Sequence, residues 1–382
     1  MLVKQRFYSL DVFRGATVCL MILVNNPGSW SHIYDPLEHA AWHGLTPTDL
    51  VFPFFLFAVG NALAFVMPGL EQGGDATFWK KIIKRTLIIF LIGLFLNWFP
   101  FVRWNDEEWS FVHWVNPNNP ERGVRILGVL QRIALCYFFA SIIIYYLKIR
   151  KAFYVGLILL LLYWLLCYVG NPTDPYSLGG WFGTGIDKKI LGVAHMYKGE
   201  GVPFDPEGIM STISSIVEVI LGYMVGDYII KKGKSFETVA GLFVAGVALL
   251  ITGYCWDLVF PINKKIWTSS FTVYTSGLAT ITIATLIYLI EIKNIKTWAM
   301  RFFDVFGKNA LFVFALSGFL PDLLSFIRLG NGVNPWNFLY AKVFVNIPGD
   351  PRIGSLLYAL CVITFMWLIC WWLDKKKIYI KV

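Results

Sequence analysis

Long, nearly unbroken apolar stretches alternate with short polar or basic interruptions along this chain. Each is on the order of 20 residues, enough for a helix to cross roughly 30 Å of hydrocarbon. Ten can be placed, at about residues 10–30, 45–68, 79–101, 124–147, 152–169, 207–230, 237–259, 266–290, 298–321 and 353–373. The pattern predicts an all-α polytopic membrane protein, about ten transmembrane helices in one bundle, with 1–382 as a single domain. The ninth stretch is expected as one span with room for a break before Pro321. No cleavable leader is expected, because the first residues lack a small-residue cleavage site and run directly into "SLDVFRG"; the first span then serves as its own targeting signal.

Composition agrees with the pattern. The chain is 57% hydrophobic and 15% charged, with a mean hydropathy of +0.61, values that exclude an ordinary soluble domain. Its 33 lysines and arginines divide unevenly: alternate connections collect 19 on one side, from Lys4 and Arg6 to Lys381, and 11 on the other, among them Arg125, Lys264, Lys265, Arg328 and Arg352. The positive-inside rule then predicts cytoplasmic N- and C-termini. It also puts residues 28–44, which hold no lysine or arginine, on the extracytoplasmic side. The net charge of +9 is accounted for by topology and contact with anionic headgroups, and no nucleic-acid motif accompanies it. The six cysteines fall in predicted helices or at their ends, where apolar packing explains them.

Polar residues inside the predicted helices narrow the question, because a charge within a bilayer needs a partner or a water-filled cavity. Asp11 and Arg14 can pair across one turn, Asn25 and Asn26 close the same helix, and Arg125 and Arg132 share a face of the fourth at a spacing of seven. Ser269, Thr272 and Ser276 form a hydroxyl stripe, and Lys308 and Asn309 lie in the ninth helix. A polar passage through the bundle would explain all of these; the alternatives are a structural ion pair and hydroxyl contacts between helices.

Two short motifs mark helix entries. In "TPTDL", Thr46, Pro47 and Asp49 have the spacing of a capping box. In "FDPEG", Asp205 can cap the sixth helix, leaving Glu207 to face the outer side. Between the first two spans lie His32, Asp35, Glu38, His39 and His43. Their spacing matches no familiar zinc signature, and an imidazole that titrates near neutrality suits a general base or nucleophile. No metal is expected.

The segments "SLDVFRG", "MILVNNPGSW", "EHAAWHGLTPTDLVFPFFLF", "RILGVLQRIALCYF", "FDPEGIMSTISSIV", "KKIWTSSFTVYTSG" and "FGKNALFVFALSG" resemble, in order and across nearly the whole chain, the heparan-alpha-glucosaminide N-acetyltransferase family. The resemblance implies a ten-helix catalytic core that takes acetyl from cytoplasmic acetyl-CoA to an amino sugar of the glucosamine type across the membrane. The family's His-Ala-x-Trp-x-Gly segment falls on His39 to Gly44, its Val-Asn on Val24 and Asn25, its Phe-Arg-Gly on Phe13 to Gly15, and its Gln-Arg on Gln131 and Arg132. His43 stands where an asparagine is usual, the connection between Asn25 and His39 is longer, and the large segment before the core is lacking. These departures point to a bacterial relative in the plasma (inner) membrane, with an acceptor that need not be heparan sulfate.

The resemblance and the polar residues together assign His39 as base or acetyl-carrying nucleophile and Asn25 as donor to the thioester oxygen. Asp49, Asp205 and Glu207 would orient the sugar, and Arg14, Arg132 and Asn309 would serve acetyl-CoA. The expected partners are acetyl-CoA, the amino sugar and the lipid bilayer; a homodimer is left open. Two other readings stand beside this one: an amino-sugar transporter, and an O-acyltransferase of cell-envelope glycans.

Overall fold

The computed structural model describes residues 6–104, 109–327 and 334–380, with 103 and 104 described in backbone alone. Lys4, Arg328 and Lys381 of the charge count lie outside the described residues. Helix α1 (Tyr8–Asn25) is followed by an irregular segment and a 3-10 turn (Pro47–Leu50) that opens α2 (Val51–Gln72). Helices α3 (Gly74–Trp98) and α4 (Val129–Gly170) are joined through two small antiparallel hairpins, Val102–Trp104 with Trp109–Phe111 and Val115–Asn116 with Asn119–Gly123. A short α5 (Gly183–Leu191) precedes α6 (Ile209–Lys232), α7 (Phe236–Asp257) and α8 (Ser269–Leu286), the last continuing as a wider π-type turn over Ile287–Ile292. The chain closes with α9 (Trp298–Lys308), α10 (Ala310–Leu324), α11 (Pro335–Lys342) and α12 (Pro351–Lys375).

Seven helices among the described residues are long and apolar enough to cross a membrane, or eight if the bent pair α9 and α10 forms one span. The difference from the ten expected spans has identifiable sources. Helix α3 carries Lys80, Lys81, Lys84 and Arg85 in its first half, and α4 contains two expected spans in one element. A straight helix of 42 residues would be about 63 Å long, twice the hydrocarbon thickness. Instead the backbone leaves helical geometry at Lys148, with φ 58° and ψ 171°, and the second half folds back. Both halves consequently reach the same segment: the Arg132 guanidinium lies 5.2 Å over the Trp267 ring and the Tyr163 hydroxyl donates to Ile266 O.

The span expected over 298–321, with room for a break before Pro321, is broken in the structure. It bends by 79° at the junction of α9 and α10, whereas Pro321 is contained within α10. The break falls at Asn309, whose φ and ψ of −125° and 34° are not helical. Its carboxamide accepts from Ile380 N at 2.8 Å and donates to Ile378 O at 3.2 Å, so tethering the C-terminal segment replaces helical continuity.

Two helix crossings depend on missing side chains. A Cβ on Gly60 would stand 2.1 Å from Val219 O, and one on Gly222 would stand 2.2 Å from Phe57 O, so α2 and α6 approach backbone to backbone. Asn61 donates across that contact to Gly222 O at 3.0 Å. Small residues in this spacing are the usual means of close helix association in a membrane. Gly15 and Gly307 do the same for α1 and α9, where added Cβ atoms would meet Phe303 O at 1.7 Å and Asp11 O at 2.0 Å.

The hydroxyl stripe of α8 is a seam between helices. Ser269 donates to Leu160 O at 2.8 Å, Thr272 meets Ser214 at 2.8 Å, and Ser276 donates to the buried Glu218 carboxylate at 2.9 Å. The polar passage inferred from sequence is, at these positions, a set of closed contacts joining α4, α6 and α8.

Candidate active site

At one end of the bundle the C-terminus of α1, the turn before α2, the segments preceding α4 and α6, and the link from α7 to α8 converge. They enclose a cavity of about 240 Å³ whose wall includes Asn25, His39, Asp49, Arg125, Glu207 and Lys264. Asn25 is the last residue of α1 and is exposed there, with no hydrogen bond to its carboxamide among the described residues. Its neighbour Asn26 is buried and donates to Ile22 O at 2.9 Å.

His39 lies in an irregular stretch held at several points. Thr46 Oγ1 donates to Glu38 O at 2.6 Å, and Gly44, at a φ of 103° that glycine tolerates without strain, donates to Ile262 O at 2.8 Å. The expected capping box is present between Thr46 and Asp49, with Thr46 N donating to Asp49 Oδ2 at 3.0 Å. Asp49 Oδ2 also accepts from Ala40 N at 3.1 Å, and Asp49 Oδ1 lies 2.7 Å from His39 Nδ1. One carboxylate therefore starts a helix and orients an imidazole. Because a carboxylate with these donors around it is an acceptor, the His39 proton belongs on Nδ1, which makes Nε2 the acceptor of the ring. Asp49 is 1% exposed and His39 48%, so the acid is shielded while the imidazole meets the cavity.

Lys264 completes this cluster and was not singled out from sequence. Its Nζ is 3.0 Å from His39 Nδ1, 3.3 Å from Nε2 and 3.5 Å from Asp49 Oδ1. Burial lowers its ammonium from the ordinary lysine range, against the opposing pull of Asp49. Lys265 is held differently, donating to Glu200 at 2.7 Å and to Ala41 O at 2.8 Å. The available signal was two adjacent lysines in a connection on the side otherwise poor in basic residues.

A second charged group borders the cavity. Arg125 donates to Asp205 from Nε at 3.0 Å and from Nη2 at 2.6 Å, and also to Glu207. Burial works against this guanidinium, but the charges of Glu207 and Asp205 prevail and hold it above its usual value. Burial likewise opposes the ionised Glu207, and Arg125 and Arg132 hold it below the usual carboxylate range. Arg125 precedes α4, so the shared helical face expected for Arg125 and Arg132 does not form. Asp205 does not cap α6 either. The cap is Gly208, and the first helical amide, Ile209 N, donates to Asp187 Oδ1 at 2.9 Å. Asp205 is fully buried behind Arg125 and takes Glu207 N at 3.0 Å.

The residues assigned to sugar binding thus separate: Glu207 lines the cavity, Asp49 lines it with both oxygens engaged, and Asp205 supports Arg125. The donor-side residues separate further. Arg132 is fully buried, donates to Gly208 O at 3.0 Å and to Ser211, and lies behind Trp267. Arg14 is at the other end of α1, 3.6 Å from Asp11, in a recess of about 280 Å³ shared with Arg6, Phe7 and Phe65. It reaches Gly307 O at 3.4 Å, two residues from Asn309. Of the other histidines in this stretch, His43 faces Asn263 at 3.4 Å and is lowered by burial, against Asp257, while His32 lines a separate small recess with Arg352.

This is an all-α polytopic membrane protein with a carboxylate–imidazole–ammonium cluster on the wall of a cavity at one end of its helices. No family model matches the chain. It is 29% identical over 368 residues to the heparan-alpha-glucosaminide N-acetyltransferase of Homo sapiens, an overlap covering 81% of this chain and 52% of that protein. It is 27% identical over 370 residues to the protein of the same name from Mus musculus, covering 81% and 53%. The chain is related to these N-acetyltransferases and spans about half the length of the curated relatives it matches.

Proposed function

We propose that the protein is a transmembrane acetyltransferase. It moves acetyl from cytoplasmic acetyl-CoA to an amino sugar of the glucosamine type on the extracytoplasmic side of a bacterial inner membrane. The observation that carries this reading is the 2.7 Å contact of His39 Nδ1 with the shielded Asp49 carboxylate, which leaves Nε2 at the cavity. The relationship to N-acetyltransferases and the cavity's position at one end of apolar helices support it.

The chemistry follows from what each group can hold. An amino sugar arrives as an ammonium, and the Glu207 carboxylate on the cavity wall is suited to receive it. That ammonium gives up one proton to water; His39 Nε2 then removes a second as the free amine attacks the thioester and passes it to the departing CoA thiolate, or itself takes the acetyl group first and passes it on. In either course negative charge builds on the thioester oxygen, where the unengaged Asn25 amide can donate. Asp49 fixes the tautomer and stabilises the imidazolium as it forms. A cavity of about 240 Å³ falls near the lower bound of ligand pockets, roughly 300 Å³. It suits a monosaccharide with the acetyl end of the donor, and the nucleotide must lie outside it. The Arg6 and Arg14 recess at the opposite end of α1 offers cations for phosphate.

Purified protein in liposomes tests the reading. With labelled acetyl-CoA sealed on the side of the termini and glucosamine on the side of His39, labelled N-acetylglucosamine should form on the latter side. Movement of intact sugar without acetylation would favour a transporter, and product formed only when both substrates share one side would overturn the transmembrane course.

A further inference from the structure

We propose that Lys264 is a self-acetylation site, modified when acetyl donor is present and acceptor absent, and that its modification shuts the enzyme down. The inference rests on the acetyltransferase reading above. Lys264 Nζ is 3.3 Å from His39 Nε2, the atom beside which the acetyl carbon must be placed. An acetyl group brought to Nε2 would have the Lys264 amine beside it, and confinement of this kind replaces a bimolecular encounter. Lys264 lines the same cavity as His39, so no barrier separates the amine from the thioester.

The neighbouring lysine supplies the contrast. Lys265 lines the same cavity but is clamped at 2.7 Å to Glu200 and at 2.8 Å to Ala41 O, so its Nζ is held by two acceptors away from His39. Lys264 has the His39 ring at 3.0 and 3.3 Å and a loose ion pair, 3.5 Å to Asp49 Oδ1, whose carboxylate is already committed to His39 and to two backbone amides. Burial further favours its neutral amine. A bound acceptor would compete for the same acetyl group within this cavity; with the acceptor absent, Lys264 is the amine at hand.

The step balances without another reactant. The thioester C–S bond breaks and an amide C–N bond forms at Nζ. Of the two protons lost by the Lys264 ammonium, one passes through His39 to the departing thiolate, giving CoA thiol, and one is released to water. The product amide cannot return its acetyl group to an amino sugar. It removes the positive charge beside Asp49 and places an acetyl group against Nε2, which explains why turnover should stop.

The full-length protein in nanodiscs is incubated with isotopically labelled acetyl-CoA, with or without glucosamine, and the label is located by peptide mass spectrometry. The expected result is stable amide label on Lys264 and none on Lys265, accumulating without acceptor and suppressed by it. Loss of subsequent glucosamine acetylation should parallel the labelled fraction. His39→Ala should abolish the label, and Lys264→Arg, measured against its own starting rate, should resist inactivation by donor alone. Unlabelled Lys264 in a preparation that acetylates glucosamine overturns this inference and leaves the parent reading standing. Equal labelling in His39→Ala shows uncatalysed chemistry and also overturns it. Failure of both reactions, in protein shown to be folded, removes the parent reading and this inference together.

Discussion

The wall of the cavity and the seam between α6 and α8 are both rich in polar groups, yet they differ in what those groups have left to bond. In the seam, Thr272 meets Ser214 and Ser276 meets Glu218, all deep in the bundle. These bonds close on each other and join helices. On the wall, the Asn25 carboxamide has no partner among the described residues, and His39 and Glu207, held by Asp49, Lys264 and Arg125, border a space a substrate can enter. A polar residue within membrane helices is thus a functional candidate only when part of its capacity faces a cavity; otherwise the cost of its burial is already met by a neighbour.

Substitutions can break or sharpen that contrast. The largest effect is expected from His39→Ala, which should reduce acetyl transfer by about 10²-fold or more, the scale of a lost general base. Because His39 is half exposed, the melting temperature should hardly move. Retention of a tenth of the wild-type turnover would remove it from the chemistry.

Asp49→Asn should come next. The amide oxygen can still receive backbone donors, so the helix entry is largely kept, but the group no longer demands the proton on His39 Nδ1. We expect roughly a 10²-fold fall in turnover with little change in the KM for either substrate. A loss confined to stability would reduce Asp49 to a helix cap.

Ser276→Ala probes the seam. It should cost about 0.5–1.5 kcal/mol in stability, the usual net value of a hydrogen bond, and leave the kinetic constants within about twofold. A selective loss of turnover in a protein of normal stability would mean that the seam takes part in the reaction, and the contrast drawn here would fail.

The smallest effect concerns Asp187, which caps α6 behind the cavity. Burial pushes its carboxyl up to about 6 from an ordinary 3.8. A group whose folded pKa is raised favours the folded state while protonated, and that contribution is lost as pH rises between these two values. Wild-type stability should therefore fall from pH 4 to pH 6 by a component that Asp187→Asn lacks. At pH 7.5 the variant should melt slightly higher than wild type; an identical pH dependence in the two proteins would show that Asp187 is not strained by its charge.

Much of this molecule was legible along the chain because its causes are local. Apolar length predicts helices that cross a membrane, since no other open structure satisfies its backbone there. "TPTDL" predicts the capped entry to α2, since a capping box needs only residues three apart. His39 and Asn25 were legible as candidates from their place at helix ends and from resemblance, and the structure puts both on one wall. The break at Asn309 and the capping of α6 by Asp187 were not legible. Each depends on a partner distant in sequence, Ile378 and Ile380 in one case and a short loop helix in the other.

The same division holds within the site. The sequence by itself determined the membrane class, most helix positions and the residue types able to do acid–base chemistry, because periodicity, length and side-chain chemistry are properties of short segments. Only the tertiary structure decided that Asp49 serves His39 while also capping a helix, that Asp205 lies buried behind Arg125, and that Lys264, 225 residues from His39 along the chain, stands against its imidazole. Those are relations between segments whose distance is set by helix packing, and the close crossings made by Gly60, Gly222, Gly15 and Gly307 establish it.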